Sequence, residues 1–585
     1  MDDYQKTNVM TIKRIFIAAG MVFVLASCSK LDLNPLSEPS NENWFADQTQ
    51  VQMSLNTLFL HEFWPIAKSE TPNATAAFDE FSDDWTNRGT LLPFTNGQLN
   101  SETATVEAIW SYTYKAIARC NTILQYIPKS KNNISPELYE RYIAVARFVR
   151  ACQYSRIITL FGDAVYLESE IDIDEALKLG RTDKNEVLKH VYEDFNYAID
   201  KLPVSYSGSE IQYPAKGAAY AMKARIALYM NDWTTAKDAA KACIDLHQYQ
   251  LYPDFGQLFL TKTKNSVETV FGIPRSVELG VKLSGGNITA YLPRTMGGTS
   301  TGNPSWDLFC AYLCKDGRPI DESPLYNPRN PFLNRDPRCT STIVEFNTRF
   351  LGFNYTPHPD SAKVWSYTQA DKITNKDSKA SDQYASYNGL ILKKGIDEAW
   401  TDDLESDPDK MILRYADVLL MYAEAKIELN DIDQSVLDAI NQVRSRAYKV
   451  SYTETNSYPS VTITNQAALR RILRLERRME FAFEGLRYYD IIRWRLAGKV
   501  MNRPNYGLLS AVGDLRTKLV KANLWFFPGT PDIDEDGTPD FSTMPNSSLI
   551  RVLSRRVFDE SRNYLWPIPN ADIVINPDLR QNPGY

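Results

Sequence analysis

The stretch RRMEFAFEGLRYYDIIRW, from Arg477 to Trp494, decides the fold of this chain. Its charged and apolar residues recur at three- and four-residue spacing, which places each kind on one face of a helix. Four ionisable residues share that spacing: Glu480, Glu484, Arg487 and Asp490. Paired carboxylates for acid–base catalysis are one interpretation. The favoured interpretation is a series of ion pairs along this helix and with its neighbours.

Helical spacing of apolar residues continues on both sides of this stretch. The predicted helices span Thr105–Ile127, Glu137–Phe161, Asn185–Leu202, Pro214–Met230, Trp233–Leu246, Asp409–Leu429, Gln434–Ala447 and Gln466–Leu496. Alanines fill the contact face between the fourth and fifth of them, around a tight Asn231-Asp232 turn. This pair resembles a tetratricopeptide unit, although no fixed repeat period is visible.

Between about residues 267 and 401 the pattern changes. Short β-like runs, ETVFGI from Glu268 and STIVEF from Ser341, alternate with Gly, Pro, Asn and Ser. After Gly498 the chain again lacks helical spacing and ends in a proline-rich tail. The sequence therefore predicts a mostly α fold with tetratricopeptide-like helix pairs and an irregular loop-rich region that carries a few short strands.

The N-terminus has the pattern of a bacterial lipoprotein signal peptide. Lys13 and Arg14 precede twelve residues of apolar character, Ile15 to Ala26, and Ser27-Cys28 follows. A membrane-spanning helix needs about 20 such residues, so this run has the length of a signal sequence. We expect cleavage after residue 27, lipid on Cys28 that anchors the protein to a membrane, and a polar tether over 28–43. A secretory signal with a chance cysteine is the alternative.

Composition excludes some classes of function. The net charge of −7 over 585 residues argues against nucleic acid as a partner. The chain has 11 Trp, 33 Tyr and 25 Phe, enough to supply both a core and flat aromatic faces for sugars. Besides Cys28 there are six scattered cysteines. Free buried thiols are the favoured interpretation, with a Cys310–Cys314 or Cys314–Cys339 disulfide left open.

Several segments together resemble the SusD/RagB family of Bacteroidetes nutrient-uptake lipoproteins. They are Arg477–Trp494, LRYADVLLMYAEA (Leu413–Ala425), NRDPR (Asn334–Arg338), ARFVRACQYSRIITLFGD (Ala146–Asp163) and IPNADIVINPDLRQNPGY (Ile568–Tyr585). The resemblance implies one domain over 44–585, with a helical scaffold at about 44–260 and 409–497. Irregular binding-face and loop segments would then occupy about 261–408 and 498–585.

The same resemblance implies a function. Such a protein sits on the outer membrane, binds an oligosaccharide or polysaccharide, and delivers it to a SusC-like TonB-dependent transporter. A RagB-like protein that binds peptide is the alternative. The resemblance implies neither catalysis nor a required cofactor.

Three loop segments place tryptophan or tyrosine beside polar side chains, the chemistry that sugar binding needs. FSDDWTNRG offers Trp85 with Asp83, Asp84, Asn87 and Arg88; GGTSTGNPSW offers Trp306; and KVWSYTQ offers Trp365 and Tyr367, with Tyr384 and Tyr387 further on. Burial within the fold is the alternative for each tryptophan. Trp85, Asn87 and Arg88 are the first choice.

Two further motifs remain. Asp532, Asp534, Asp536 and Asp540, with Gly537, copy positions of a calcium loop, so a structural calcium ion and a solvated acidic turn both stay open. Gly298-Thr299-Ser300-Thr301-Gly302 satisfies G-x-S-x-G, but prolines flank it where a strand and a helix are needed. A secreted hydrolase is therefore the least favoured function.

Overall fold

The computed structural model describes residues 44–64, 76–88 and 91–585. The predicted signal peptide, the lipidated Cys28 and the tether over 28–43 lie outside these ranges. Within the described residues, no helix combines the length and the apolar character needed to cross a bilayer.

Ten helices of seven or more residues occur in the described chain. They are α1 Gln48–Asn56, α2 Ala104–Tyr126, α3 Pro136–Phe161, α4 Lys184–Lys201, α5 Lys216–Tyr229, α6 Trp233–Asp245, α7 Tyr415–Glu428, α8 Gln434–Ala447, α9 Gln466–Glu480 and α10 Arg487–Arg493. Shorter α-helical turns span Ala76–Asp79, Pro93–Asn96, Ile173–Ala176, Gly286–Thr289, Trp306–Ala311, Pro337–Thr342, Ala497–Val500, Val512–Asp514 and Asn570–Ile575. A π-helical turn spans Leu515–Val520, and 3₁₀ turns span Thr57–Phe59, His61–Phe63, Ile127–Ser130, Gly208–Glu210, Arg294–Met296, Glu398–Thr401, Ser547–Leu549 and Pro577–Leu579.

Capping side chains fix where the long helices begin and end. The Ser135 hydroxyl accepts from the Leu138 N–H ahead of Pro136 at the first position of α3, and α3 ends at Gly162, whose φ is 78°. The Asp232 carboxylate caps α6 through the Thr235 N–H. Asn231, at φ 61°, makes the tight turn before it.

The helices pack as successive pairs around one continuous core. α2 packs on α3, α3 on α4, and α5 on α6. α6 also packs on α7, which joins the helices before residue 250 to those after residue 410. The predicted mostly helical fold is confirmed.

Fourteen short strands in the described residues form five two-stranded ribbons and one four-stranded sheet. The strands are β1 Trp85–Asn87, β2 Thr269–Ile273, β3 Leu283–Ser284, β4 Gly302–Pro304, β5 Thr348–Phe350, β6 Phe353–Tyr355, β7 Lys363–Ser366, β8 Asp371–Thr374, β9 Glu405–Ser406, β10 Lys410–Arg414, β11 Pro504–Gly507, β12 Asp532–Ile533, β13 Pro539–Asp540 and β14 Arg551–Arg555. The pairs β1–β4, β2–β10, β3–β9, β11–β14 and β12–β13 are antiparallel, as is the sheet β5-β6-β7-β8. A second, aromatic-rich core fills this loop-rich part around Trp306, Phe309 and Phe526.

Two sequence predictions of secondary structure are wrong, one at the start of a helix and one for a whole strand. The helix predicted from Asp409 starts at Tyr415, because the preceding residues form β10 and pair with β2. STIVEF is not a strand: helix Pro337–Thr342 covers its first two residues, and Ile343 makes only an isolated bridge to Leu392.

The helix predicted over Gln466–Leu496 is broken in the middle. α9 ends at Glu480, and α10 begins only at Arg487. Phe483, at φ 60°, and Gly485, at φ 75°, turn the chain between them. The Phe483 ring is fully buried in the second core, and the Gly485 N–H donates to Asp79 Oδ2 at 2.7 Å. Tertiary packing therefore overrides the helical spacing here.

A buried network of guanidinium groups surrounds Glu480. Its carboxylate accepts hydrogen bonds from Arg338 (3.1 Å to Oε2), Arg414 (2.6 Å to Oε1) and Arg446. These three arginines come from a loop-region turn, from β10 and from α8. Burial by itself would raise the pKa of Glu480, but the three cations outweigh it and hold the pKa well below its usual value.

Neighbouring carboxylates extend the network through the same arginines. Glu268 pairs with Arg414 and Arg446 at 2.7 and 2.8 Å, and Glu484 pairs with Arg414 at 2.6 Å. The predicted ion pairs thus exist, but most of them join the signature segment to distant elements. Asp490 and Arg493 give one pair within a helix, at 2.8 Å.

The six cysteines of the described residues are free and buried, so the two open disulfide pairings do not form. Burial raises the pKa of the Cys310 and Cys339 thiols, the latter to about 12. They fill space in the core as small apolar side chains.

Glu480→Gln is expected to destabilise the fold strongly. It keeps the shape of the side chain but leaves three buried guanidinium groups short of one negative charge, which costs about 3–5 kcal/mol. The free energy of unfolding in urea measures this loss. The control is Glu535→Gln, because Glu535 pairs with Arg471 at the surface (2.7 Å, both side chains more than half exposed). Its expected cost is below about 1 kcal/mol. Equal costs for the two variants would contradict the role of the network.

Candidate functional site

The first candidate segment, residues 83–88, begins in the protein interior. Asp83 and Asp84 are 0% exposed. Arg478 contacts both carboxylates, at 2.8 and 2.7 Å, and Arg487 Nε lies 2.8 Å from Asp83 Oδ1. Burial would raise the pKa of Asp83, but Arg478 and Arg487 reverse that effect and hold it far below its usual value. These aspartates anchor the segment in the interior, and the prediction that they contact a ligand is wrong.

Trp85 also faces inward, as the first residue of β1. Its indole is 7% exposed and packs against Tyr291 and Phe483, with ring centroids at 5.7 and 5.5 Å. β1 pairs with β4 so that Trp85 lies opposite Pro304 and Asn87 opposite Gly302. A ring held in this way cannot stack on a sugar, so the prediction for Trp85 is corrected.

Trp306 fails as a ligand platform for the same reason. It is 0% exposed, and its Nε1 donates to the Asn388 carbonyl at 2.8 Å. Phe526 and Phe527 enclose it, at centroid distances of 5.6 and 4.8 Å. The indole is part of the second core, and that prediction is corrected too.

Asn87 and Arg88 emerge at the surface at the end of β1, and both are half-buried. The Arg88 N–H continues the ladder to the Thr301 carbonyl at 3.1 Å. Its guanidinium donates to the carbonyls of Thr299 and Ser300, the latter at 3.1 Å. These bonds hold the Arg88 side chain over the loop that precedes β4.

Arg88 meets Tyr384, the most exposed aromatic ring of this region at 54%. The Arg88 guanidinium lies 6.0 Å from the centre of that ring, and the Arg294 guanidinium lies 5.5 Å from it. Asp382 fixes the arrangement: its Oδ1 accepts from the Tyr384 N–H at 2.7 Å, and its Oδ2 accepts from Arg294 Nε at 2.9 Å. We call Arg88, Arg294, Asp382 and Tyr384 the Tyr384 cluster.

The Tyr384 cluster combines an exposed aromatic ring with charged donors and an acceptor. An aromatic ring packs on the apolar face of a sugar, and guanidinium and carboxylate groups hydrogen-bond its hydroxyls. Sequence reasoning found Arg88 and noted Tyr384 but missed Arg294 and Asp382. No spacing could reveal them, because the cluster joins residues almost 300 positions apart.

Trp365 and Tyr367 lie on a different surface, the outer face of the four-stranded sheet. They are 39% and 43% exposed. The Tyr367 hydroxyl donates to Asn354 Oδ1 at 2.9 Å, and Arg349 lies 4.8 Å from the Tyr367 ring centre. These four residues form a second aromatic surface, which we call the sheet platform. It stays a predicted ligand contact.

The predicted calcium loop is a hairpin formed by β12 and β13. Lys499 Nζ lies 3.0 Å from Asp534 Oδ2 and 2.6 Å from Asp536 Oδ2, so an ammonium group occupies the side of the turn to which these carboxylates point. Asp540 Oδ1 accepts from the Ser542 N–H and hydroxyl instead. In the described parts of the chain, no three His, Cys, Asp or Glu side chains are grouped to hold a metal ion. Asp532, the first residue of β12, lies opposite Asp540 in this hairpin.

The G-x-S-x-G motif is structural. Ser300 is 0% exposed and its hydroxyl is hydrogen-bonded to the Asn303 side-chain amide at 3.2 Å, so it does not face solvent as a nucleophile must. A Cβ at Gly302 would lie 2.1 Å from Trp85 Cζ2, and one at Gly298 would lie 1.9 Å from the Leu292 carbonyl oxygen. The glycines are there because neighbouring groups leave no space for a side chain.

The described structure is therefore a scaffold of helix pairs with exposed aromatic side chains on its loop-rich part. Comparison with known families shows that the chain belongs to the SusD family, whose model matches residues 278–585. A second model, described as starch-binding and associating with the outer membrane, matches residues 37–228.

Individual relatives agree with this placement over nearly full length. SusD-like protein P2 of Formosa agariphila is 24% identical over 97% of this chain and 98% of its own. A SusD-like protein of Bacteroides ovatus is 22% identical over 97% of each chain. The crystal structure of a SusD-like carbohydrate binding protein from Bacteroides fragilis is 28% identical, with a TM-score of 0.75 over 92% of this chain and 99% of that one. A laminarin binding SusD-like protein, 18% identical, shares the fold with a TM-score of 0.62 over 92% and 100%.

Gly302→Ala is expected to destabilise the strand that carries Asn87 and Arg88. Its methyl group overlaps the Trp85 ring, which Tyr291 and Phe483 hold in place, so overpacking costs about 1–3 kcal/mol. Urea unfolding measures the loss. Gly286→Ala is the matched control, because no atom lies within 4 Å of its Cβ and it starts a helical turn. An unchanged stability for Gly302→Ala would show that Trp85 is not fixed.

Proposed function

We propose that this protein binds carbohydrate at the surface of the outer membrane and delivers it to a SusC-like TonB-dependent transporter. The observation that carries the proposal is the Tyr384 cluster, an exposed aromatic ring with two guanidinium groups within 6.0 Å of its centre and a carboxylate beside it. The names of several similar proteins point the same way: one is described as a carbohydrate binding protein, one as laminarin binding and one as a surface glycan-binding protein of Bacteroides fluxus.

The chemistry of the described surface supports binding without turnover. The buried acids of the signature segment, among them Glu480 and Glu484, are paired with arginines and lie away from solvent. Ser300 is enclosed as well. The exposed Tyr384 cluster has donors and an acceptor for hydroxyl groups but holds its one carboxylate, Asp382, in an ion pair. We therefore assign it to recognition rather than to acid–base chemistry.

The membrane half of the proposal depends on the N-terminal sequence. Lipid on Cys28 would hold the domain at the cell surface through a polar tether of about 16 residues. Tethering raises the effective concentration of the binding face near a transporter, so even modest affinity for a polysaccharide is sufficient for capture.

Tyr384→Ala is expected to weaken carbohydrate binding at least tenfold while leaving stability unchanged. The variant removes the open aromatic face, and the ring is 54% exposed, so little packing is lost. Affinity gels against a polysaccharide panel identify the ligand, and calorimetry on the purified mature chain gives the affinity. Tyr452→Ala, at a tyrosine 38% exposed outside the cluster, should bind as the parent does.

Equal binding by the parent and Tyr384→Ala would show that the cluster is not the binding site, and Trp365→Ala would then test the sheet platform. Two other results would contradict the proposal itself. Binding to oligopeptides with no binding to any glycan would favour the peptide alternative. Release of shortened sugars from the ligand would contradict the assignment as a binding protein.

Cys28→Ala is expected to release the protein from the outer membrane without changing its affinity for the ligand. The variant lacks the thiol that receives the lipid. Labelling with a clickable fatty acid, followed by cell fractionation, measures both lipid and location. Cys243→Ala is the control, because that thiol is fully buried in the described structure. Retention of the fatty acid by Cys28→Ala would show that the anchor lies elsewhere.

A further inference from the structure

Positive charge is concentrated around Tyr384. Two more cations lie nearby: Lys379, whose Nζ donates to the Gln383 carbonyl at 3.3 Å, and Arg551, the first residue of β14. The charges of Arg88 and Arg551 both act on Lys379. The ribbon β11–β14 brings Arg551 here, since it pairs with Gly507, which abuts the Tyr387 carbonyl. The local excess contrasts with the chain as a whole, whose net charge is −7.

Two carboxylates lie among these cations, and neither neutralises more than one of them. Asp382 pairs with Arg294, with 2.8 Å between Nη2 and Oδ2. The Asp377 carboxylate accepts hydrogen bonds from the backbone N–H groups of Arg294 and Thr295, at 2.9 and 3.1 Å. Burial raises the pKa of Asp377, which weakens it further as a counter-charge.

The other three cations lack a carboxylate partner within the described residues. No carboxylate oxygen there lies within 4.0 Å of a side-chain nitrogen of Arg88, Lys379 or Arg551. The Nε groups of Arg88 and Arg551 are also enclosed without an acceptor among the described atoms. Such groups are costly to keep unpaired.

The cations also repel one another. Burial lowers the pKa of Arg88, and Arg294 lowers it further. Burial lowers the pKa of Lys379 as well, followed by the effects of Arg551 and Arg88. A bound anion would oppose both effects, because its negative charge favours the charged forms of Arg88 and Lys379.

We propose that the Tyr384 cluster, with Lys379 and Arg551, recognises an acidic group, sulfate or carboxylate, on an anionic polysaccharide. This inference rests on the proposed carbohydrate binding and specifies its substrate class. The planar guanidinium group can donate two parallel hydrogen bonds to two oxygens of a carboxylate or a sulfate, and these charge-assisted bonds are short. The Tyr384 ring then contacts the sugar that carries the acid. A neutral chain would leave three cations unpaired.

Matched polymers with the same backbone test the charge requirement. Dextran sulfate is compared with dextran, and polygalacturonate with fully methyl-esterified polygalacturonate, by affinity gel and calorimetry at 50 and 300 mM NaCl. At least one acidic member should bind tenfold or more tightly than its neutral counterpart, and higher salt should weaken it. The pair that shows the difference tells sulfate from carboxylate.

The outcomes separate this inference from the proposed function. Neutral polymers that bind as tightly as their acidic counterparts would overturn the inference and leave carbohydrate binding intact. Failure of all four polymers to bind, while other neutral glycans bind, would overturn it as well. Absence of binding to every glycan would contradict the proposed function itself.

Substitutions locate the acidic subsite. Arg88→Gln and Lys379→Gln should each weaken binding of the acidic polymer about tenfold and reduce its salt dependence. Arg555→Gln and Lys262→Gln remove one charge each from exposed positions outside the cluster and should stay within twofold of the parent. Arg88→Gln also removes the hydrogen bonds from Arg88 to the loop before β4. If that loss disturbs folding, Lys379→Gln still tests the subsite. Equal weakening by all four variants would indicate general attraction of a polyanion and overturn the assigned site.

Discussion

The buried pairing of carboxylates with guanidinium groups is the interaction on which the rest of this structure depends. Glu480 binds three arginines from a loop-region turn, a strand and a helix, and Asp83 and Asp84 bind Arg478 and Arg487 from the signature segment. Removing one partner would leave the opposite charges buried and unpaired, away from water. The network therefore fixes how the helical scaffold and the loop-rich region meet, which hydrophobic burial alone would leave less specific.

Much of the scaffold could be predicted because its signals are local. Apolar spacing and capping residues located six of the eight predicted helices within two residues at each end, as at Pro136–Phe161, although helix Gln48–Asn56 was not predicted. The failures arose where distant packing decides the backbone. Lys410–Arg414 is a strand because β2 lies beside it, and α9 stops at Glu480 because Phe483 enters the second core. Neither partner is visible from the spacing of the residues themselves.

The candidate site shows the same limit more sharply. A tryptophan beside polar residues has the composition of a sugar platform, yet Trp85 and Trp306 are buried, since large aromatic rings also make the best core. Arg88 was found because it follows β1 in a polar loop. Arg294 and Asp382 were missed because only the fold brings them to Tyr384. Composition indicates which side chains suit a ligand, and only tertiary structure decides which of them reach it.

The short distance between anchor and surface in residues 83–88 has an evolutionary consequence. Asp83 and Asp84 secure the segment to the signature arginines, while Arg88, four residues on, contacts the open ring of Tyr384. Selection can therefore change the exposed residues at the end of β1, and with them the ligand preference, without disturbing the ion pairs of Asp83 and Asp84. Descendants of one scaffold could in this way diversify toward new polymers while inheriting the same interior, and their divergence should concentrate at the ends of such short strands.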